Sequence, residues 1–580
     1  MMRTTLAVSA FALLAACSGE STDAVPGTID APTPPPAKAE LLMPLPQGTS
    51  AAITAEDLGK RIAILADDTF EGRGPASEKG EQAADWIAAE MARLGLRPGG
   101  DNDTWFQTVG MIEQTIDEAK SELSFSGGAS GEAFPMTLKE TAVIWTKRQN
   151  ADHLAFEDSE LAFVGYGVVA PEYGWNDYAG LDVAGKTVVM LVNDPGYARE
   201  DELFKGKSMT YYGRWTYKFE EAARQGATAA IIVHETLPAS YGWDVVANSW
   251  SGAQADLVRS NGGADRTMME GWITEETARQ LFAEAGLDFT DMKRVAKSNA
   301  FSAIDMGDLT ASGQIHQTIS TTESRNVVGI LPGKTAPDEY MLYTAHWDHL
   351  GKKTDDNDED FHRDGIFNGA VDNATGVAAL LEIAEAMAAE DLDRSTLFLA
   401  VTLEESGLLG SAYYAENPTV AMNQIVAGIN MDGMLPVGPT KDMVVVGYGA
   451  SELEDRLKDY LDTQDRVIIP DQNPQAGYFY RSDHVSFAKK GVPMLYADGG
   501  VDKVDGGPAA GKAMADSYIE NRYHKPGDEY SKDWDLSGME EDITALYTLG
   551  RDIAKSSDWP TWYEGNEFEA IRKASLAEKD

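Results

Sequence analysis

After Ser324 the sequence alternates between short apolar runs of strand type and longer stretches of helical period. That alternation limits this part of the chain to a sheet covered by helices. "NVVGILPG", "EYMLYTAHWDH", "RSTLFLAVTLEE", "QIVAGINMDG", "KDMVVVGYG" and "GVPMLYAD" read as strands, and "GVAALLEIAEAMAAE" and "SELEDRLKDYLD" read as helices between them. Chemistry in such sheets gathers at the carboxyl ends of the strands. Polar residues stand at those ends in succession: His346 and Asp348 close one strand, and "DGIFNGAVDNATG" places Asp372 directly before a helix. Glu404 and Glu405 end the next strand, Asp432 follows "GINM", and Tyr523 and His524 lie in "NRYHKPGDEY". One such residue means little, because strands often end in polar side chains. Five sites in sequence, in a chain with only eight histidines, mark a candidate metal or acid/base centre.

Other parts of the chain have a different texture. A chain of 580 residues exceeds one ordinary core, so more than one domain is expected. "MMRTTLAVSAFALLAAC" has Arg3, a short apolar stretch and small residues before Cys17, the pattern of a secretory signal too short to span a membrane. Cys17 is the only cysteine, which excludes an intrachain disulfide. Residues 18–50 are rich in Pro, Ser, Thr and Ala and read as an extended tether. Thr54 followed by Asp57 predicts a helix start, and Ala84, Ile87, Met91 and Leu94 recur at helical spacing in a second helix. From about residue 142 short β-type runs broken by glycine and proline indicate a separate β-rich unit to about 310. The pattern thus divides the chain into 1–17, 18–50, 51–141, 142–310 and 311–580. The formal charge, 48 − 94 = −46, argues against nucleic acid or anionic lipid as a partner.

Several segments carry resemblances. "LAAC", Leu14 to Cys17, resembles a bacterial lipobox, which implies an exported protein anchored through a lipid on Cys17 in the cell envelope, its only membrane contact. "GYGVVAPEYGWNDYAGLDVAGKTVVMLV" resembles the protease-associated (PA) domain. "AHWDHLG", "GAVDNATG", "EESGLLGS", "NMDG" and "YHKPGD", in that order, resemble the co-catalytic two-zinc aminopeptidases, of the clan that includes glutamate carboxypeptidases and the transferrin receptor. The likeness covers about Ser324 to Ile553 and the helices at Ile53–Pro98.

This resemblance implies an α/β zinc-exopeptidase sandwich, a mostly parallel mixed sheet covered by helices, with a β-rich PA-like insertion. It implies two Zn²⁺ ions, with Co²⁺ or Mn²⁺ as possible substitutes. Asp372 would bridge them, His346 and Asp432 would complete one site, and Glu405 and His524 the other. Asp348 would orient His346 through its second ring nitrogen. Glu404 would be the general base and acid, and Tyr523 a donor to the oxyanion. The implied reaction is hydrolysis of an N-terminal peptide bond, with peptides or protein N-termini as substrates. Rival readings are a carboxypeptidase of the same clan, a glutaminyl cyclase-like enzyme with one zinc, and an inactive binding ectodomain. A carboxypeptidase would need cationic groups for the substrate carboxylate, and Arg481 is the one evident candidate near the motifs. His349 reads as structural or loop-fixing, as do His153, His234 and His316. Asp483, His484 and His362 have no assigned role.

Overall fold

The computed structural model describes residues 41–199, 201–353 and 365–577. Cys17 and His362, and most of the predicted tether, lie outside them. Two helices open the body, α1 (Ala55–Leu65) and α2 (Glu78–Arg93). Each starts where an N-cap hydroxyl accepts an otherwise orphaned amide: Thr54 from Asp57, and Ser77 from Gly80.

The central sheet is organised by five strands: β1 (Ile304–Leu331), β2 (Ala336–His346), β3 (Arg394–Val401), β4 (Ile425–Asn430) and β5 (Met494–Gly499). Their spatial order is β1-β3-β2-β4-β5. The last four run parallel, and β1 pairs antiparallel to β3. Parallel strands need crossover connections, and helix α3 (Gly376–Ala388) supplies the one between β2 and β3. Successive residues of a strand face opposite sides of the sheet. Met341, Tyr343 and Ala345 of β2 and Phe398 and Ala400 of β3 accordingly face a core shared with α1, α2, α3 and helix α5 (Ser537–Ala554). Leu342, Leu397, Leu399 and Val401 face the opposite core, which Phe487, Trp562 and Phe568 help to close. Burying each such side chain is worth roughly 1.5–3 kcal/mol, and covering both faces explains why these strands are apolar almost throughout.

Strand β1 is 28 residues long and belongs to two sheets. Its second half pairs with Phe106–Ile116 and then with β3. Its first half joins a β-rich body, pairing with Glu122–Ser126 and His153–Phe163. In that body Thr187–Leu191, Ala229–His234 and Met269–Thr274 run parallel. The body has cores of its own, with Phe163, Leu191, Ile231 and Ile273 in one and Val188, Ile232 and Trp272 in another.

Two sequence-based boundaries shift. The pattern starts the β-rich unit at 142, but Leu123 and Phe125 already lie in its core, and Ile315 lies there beyond 310. A five-residue alternation has the same appearance whichever sheet receives it. The pattern also extends the tether to residue 50, whereas Leu42, Met43 and Leu45 pack on the first core and the Pro44 carbonyl accepts from Trp86 Nε1 at 3.2 Å. The apolar run "LLMPLP" accounts for this docking.

Candidate metal centre

The parallel strands deliver their ends to one edge. His346 is the last residue of β2. Asp432 lies two residues past β4, and Glu404 and Glu405 lie just past β3; these are the two strands flanking β2. Asp372 enters from the loop before α3. His524 enters three residues past helix α4 (Gly507–Asn521), with a positive φ of 55°.

Asp372 lies between the two imidazoles. Its Oδ1 is 3.2 Å from His346 Nε2 and its Oδ2 is 3.2 Å from His524 Nε2. Asp432 Oδ1 is 3.1 Å from the same His346 nitrogen, and Glu405 Oε2 is 3.2 Å from the same His524 nitrogen. The side chains proposed as ligands therefore form two sets that share one carboxylate. His349, read from sequence as structural, joins the second set: its Nδ1 is 2.5 Å from Glu405 Oε1 and its ring is 5.8 Å from that of His524. One donor atom each from His346, Asp372 and Asp432 lie within 4.8 Å of one another, and the same holds for His349, Asp372 and Glu405.

Four sets of contacts fix this geometry. The Asp528 carboxylate accepts the amides of Val371 and Asp372, each at 3.1 Å, and holds the bridging loop. Asn373 donates to the Met431 carbonyl at 3.0 Å and accepts from the amides of Gly376 and Gly433. A Cβ on Gly376 would stand 2.3 Å from that same carbonyl, so the loop and β4 can approach this closely only with glycine there. Asn430 Nδ2 donates to Ser482 Oγ at 2.7 Å, and Ser482 Oγ donates to Asp432 Oδ2 at 2.5 Å, orienting the carboxylate. Beneath the site the buried Arg73 donates to the carbonyls of Leu65, Trp347, Asn368 and Gly369. Burial lowers its pKa to about 10, against the pull of Asp372, Asp528, Asp348 and Glu405, so it remains a cation.

Asp348 differs in detail from the expectation. His346 Nδ1 meets the Asp348 backbone carbonyl at 3.1 Å, while the carboxylate Oδ1 is 3.7 Å away and accepts the Glu404 amide at 3.2 Å. Asp348 thus ties the His346 ring to the backbone of Glu404. Tyr523 stacks on the His524 ring at 3.9 Å and is 45% exposed. Partial burial of the side chain, with the carboxylates of Asp372, Glu405 and Glu404 nearby, holds the phenol above its ordinary pKa, so it keeps its proton. Asp483 and His484 are buried beside the site, and neither side chain has a hydrogen-bond partner. Burial raises Asp483 to about 7 and lowers His484 to about 3, keeping that ring neutral between Phe479 and Tyr496.

The electrostatics fit a bound cation. Burial disfavours charge on His524, but hydrogen bonds to Asp372 and Glu405 outweigh it and raise the ring to about 10. His346 is likewise raised, against burial, by Asp432 and Glu404. Burial pushes Glu404 well above the usual carboxyl range, and Asp432, Glu405 and Asp483 reinforce that shift against His346. His349 Nε2 is buried without a hydrogen-bond partner, while its Nδ1 faces Glu405 Oε1. Converging carboxylates, imidazoles aimed at them and unsatisfied donor atoms are the requirements of a divalent metal with mixed N/O ligands.

Sequence motifs contain Asp528 and Ser482 without marking their roles: one closes "YHKPGD" and the other follows Arg481 in "YRSDHVSF". Arg73 stands in "FEGRG", where no local pattern signals its partners.

The fold is an α/β sheet covered by helices, with a candidate metal centre at the ends of its parallel strands. Residues 326–548 match the model of peptidase family M28. A probable zinc metalloprotease of Pyrenophora tritici-repentis (strain Pt-1C-BFP) is 32% identical over 180 residues, which cover 31% of this chain and 36% of that protein. A glutamate carboxypeptidase 2 homolog of Caenorhabditis elegans is 25% identical over 247 residues, 41% of this chain and 24% of the relative. The chain thus aligns with about a third or less of the length of these two relatives. The solved aminopeptidase from Aneurinibacillus sp. strain AM-1 superposes on 87% of this chain and 95% of its own, at 18% identity and a TM-score of 0.46.

Proposed function

We propose that the protein is a metal-dependent exopeptidase that removes residues from the free amino end of peptides and holds two divalent metal ions, zinc by preference. The observation that carries this reading is the pair of donor sets joined at Asp372. His346 and Asp432 would hold one ion, and Glu405 with His524 the other, with His349 beside the second. Ions bound there would polarise the scissile carbonyl and make water a stronger acid. The remaining steps belong to the protein. Glu404 takes a proton from the attacking water and returns it to the leaving amine. Neutralising the neighbouring carboxylates on metal uptake brings Glu404 back toward the ionised form a base requires. Tyr523, kept protonated, donates to the developing oxyanion. Asp348 fixes both the His346 ring and the Glu404 backbone.

The amino end is favoured over the carboxyl end by charge. A substrate ammonium meets Glu404, Glu405, Asp372 and Asp432, whereas a carboxylate at the scissile residue would face the same negative groups. Unblocked peptides should therefore lose residues one at a time from the amino end, and N-acetylated versions should survive. Time-resolved mass spectrometry with a chelator control checks this. Chelator-sensitive loss of C-terminal residues from the acetylated peptide would replace the reading with that of a carboxypeptidase.

The β-rich body is read as a PA-like domain that borders the pocket. The lipobox-like "LAAC" supports acylation of Cys17 and anchoring of the exported protein to a bacterial envelope membrane, with the outer membrane as the expected address. Cys17→Ser should release or mislocalise the protein with specific activity unchanged, as fractionation and assay would report. Mass spectrometry of an unmodified Cys17 would remove the anchor.

A further inference from the structure

Glu404 and Glu405 sit in a loop whose two ends are tied together. The Leu409 amide donates to the Leu403 carbonyl and the Gly410 amide to the Thr402 carbonyl, each at 3.0 Å. The chain therefore leaves β3 and enters the helix Leu409–Glu416 through a closed neck. Inside the loop the amides of Gly407 and Leu408 donate to the Glu404 carbonyl at 2.8 and 2.9 Å. Asn326 spans the neck, accepting from the Thr402 amide at 3.0 Å and donating to the Gly410 carbonyl at 2.9 Å. A Cβ on Gly410 would stand 2.0 Å from the Thr402 carbonyl oxygen, so the neck is this narrow only with glycine there.

Leu403, the residue directly before Glu404, is the strained point of this loop. Its φ is 59°, a left-handed conformation in which a Cβ crowds the backbone and which glycine adopts far more readily. A leucine stays there only where its surroundings impose it. Leu403 and Leu409, on the two sides of the neck, are buried in a small core with Val109 and Met111. Ala255 and Leu257 pack against that core. Both lie on the strand Ala253–Leu257, which pairs antiparallel with Phe106–Ile116 and sets Leu257 directly opposite Met111. This strand comes from the β-rich stretch, between the helix Trp243–Ser249 and the strand Met269–Thr274. Gln149 fastens its end, donating to the Leu257 carbonyl at 2.7 Å and accepting the Arg259 amide at 2.9 Å.

We infer that Leu257 is a positioning residue for Glu404: the β-rich body contributes a strand to the central sheet, and Leu257 on that strand seals the core that holds Leu403 in its left-handed turn. The direction in which Glu404 leaves β3 follows from that turn, because the dihedrals of Leu403 orient every bond after it. This deepens the exopeptidase reading and takes the role of Glu404 from it. It gives the inserted body a share in the chemistry that requires no contact with substrate. The core is small, with four buried residues, so one truncated side chain at its edge leaves the neck little else to hold it.

The test uses the metal-loaded full chain and a peptide with a free amino end. Leu257→Ala should lower kcat about 10- to 100-fold, the loss that follows when a reacting group shifts by about an ångström, with KM and metal content near those of the parent. Leu257→Val, a smaller truncation, should show a smaller loss of the same kind, and Leu257→Met, which refills the space, should restore most of kcat. Leu403→Gly should also lower kcat, although glycine adopts the turn without strain, because the side chain that the core grips is gone. In a Glu404→Gln background Leu257→Ala should change turnover little, since the group it positions is already removed. Parent-like kcat in Leu257→Ala, or an equal loss in both backgrounds, overturns the role of Leu257. Hydrogen exchange reads the neck without any catalysis. The amides of Leu409 and Gly410 should exchange about 10-fold faster in Leu257→Ala, with those of β2 unchanged. Unchanged exchange at Leu409 and Gly410, or an increase spread equally through β2, overturns the inference. Should the parent cleave no peptide, the exopeptidase reading fails by itself, and the exchange result decides the neck.

Discussion

Replacing Glu404 with glutamine should lower turnover at least about 100-fold, roughly 2.7 kcal/mol of transition-state stabilisation, while metal content stays near that of the parent protein. Glutamine has the size and polarity of glutamate but cannot accept a proton at neutral pH. The neighbouring Glu405→Gln should behave differently, because Glu405 faces His524 and His349 and its loss would remove one of the proposed metal donors. Turnover measured alongside elemental analysis separates the two variants. Parent-like turnover in Glu404→Gln would remove this residue as the proton carrier.

Asp372→Asn should empty both metal positions. Removing partners that only support metal ligands weakens affinity about 10–100-fold, so loss of a shared ligand should exceed about 100-fold at each position, and activity should fall with it. The parent protein should take up about two zinc ions at saturation. Full activity with one tightly held ion would contradict the shared-ligand geometry. Uptake should also release protons, because the carboxylate field keeps His346 and His524 protonated in the metal-free site. The sign follows directly: an imidazolium must lose its proton before it can bind metal, so apparent affinity rises with pH through neutrality. The His524 contribution flattens only near its pKa of about 10. Calorimetry in buffers of different ionisation enthalpy counts the protons released, and an affinity independent of pH would contradict the protonated metal-free site.

The central sheet and the gathering of His346, Asp372, Glu405, Asp432 and His524 are legible in the sequence for one reason. A strand covered on both faces is apolar throughout, so polar residues at its end stand out, and the parallel arrangement of β2, β3 and β4 brings those ends together. The supporting shell is less legible. Asp528 acts by accepting two amides 156 and 157 residues away, and Arg73 by donating to carbonyls up to 296 residues away. Such partners are set by the folded path of the backbone, which leaves no local period or spacing to read. The same holds for His349. The pattern "HWDH" shows its proximity to His346 but not that its ring turns to Glu405 on the opposite side of the bridge.

Strand β1 has a consequence for how the chain reaches this structure. Residues 106–116 find their partners at 317–327, across about 200 intervening residues. The entropy of closing a loop grows slowly with its length but must be met before such a pairing is rewarded. The intervening chain builds cores of its own, and it includes the first half of β1 paired with the strand at 153–163. Assembly of that inner body therefore draws residues 116 and 317 together, so the outer sheet can close as a short joint instead of a 200-residue loop. The inserted body in this view is an internal clamp for the chain around it, and the order of assembly runs from the middle of the sequence outward to the strands of the candidate metal centre.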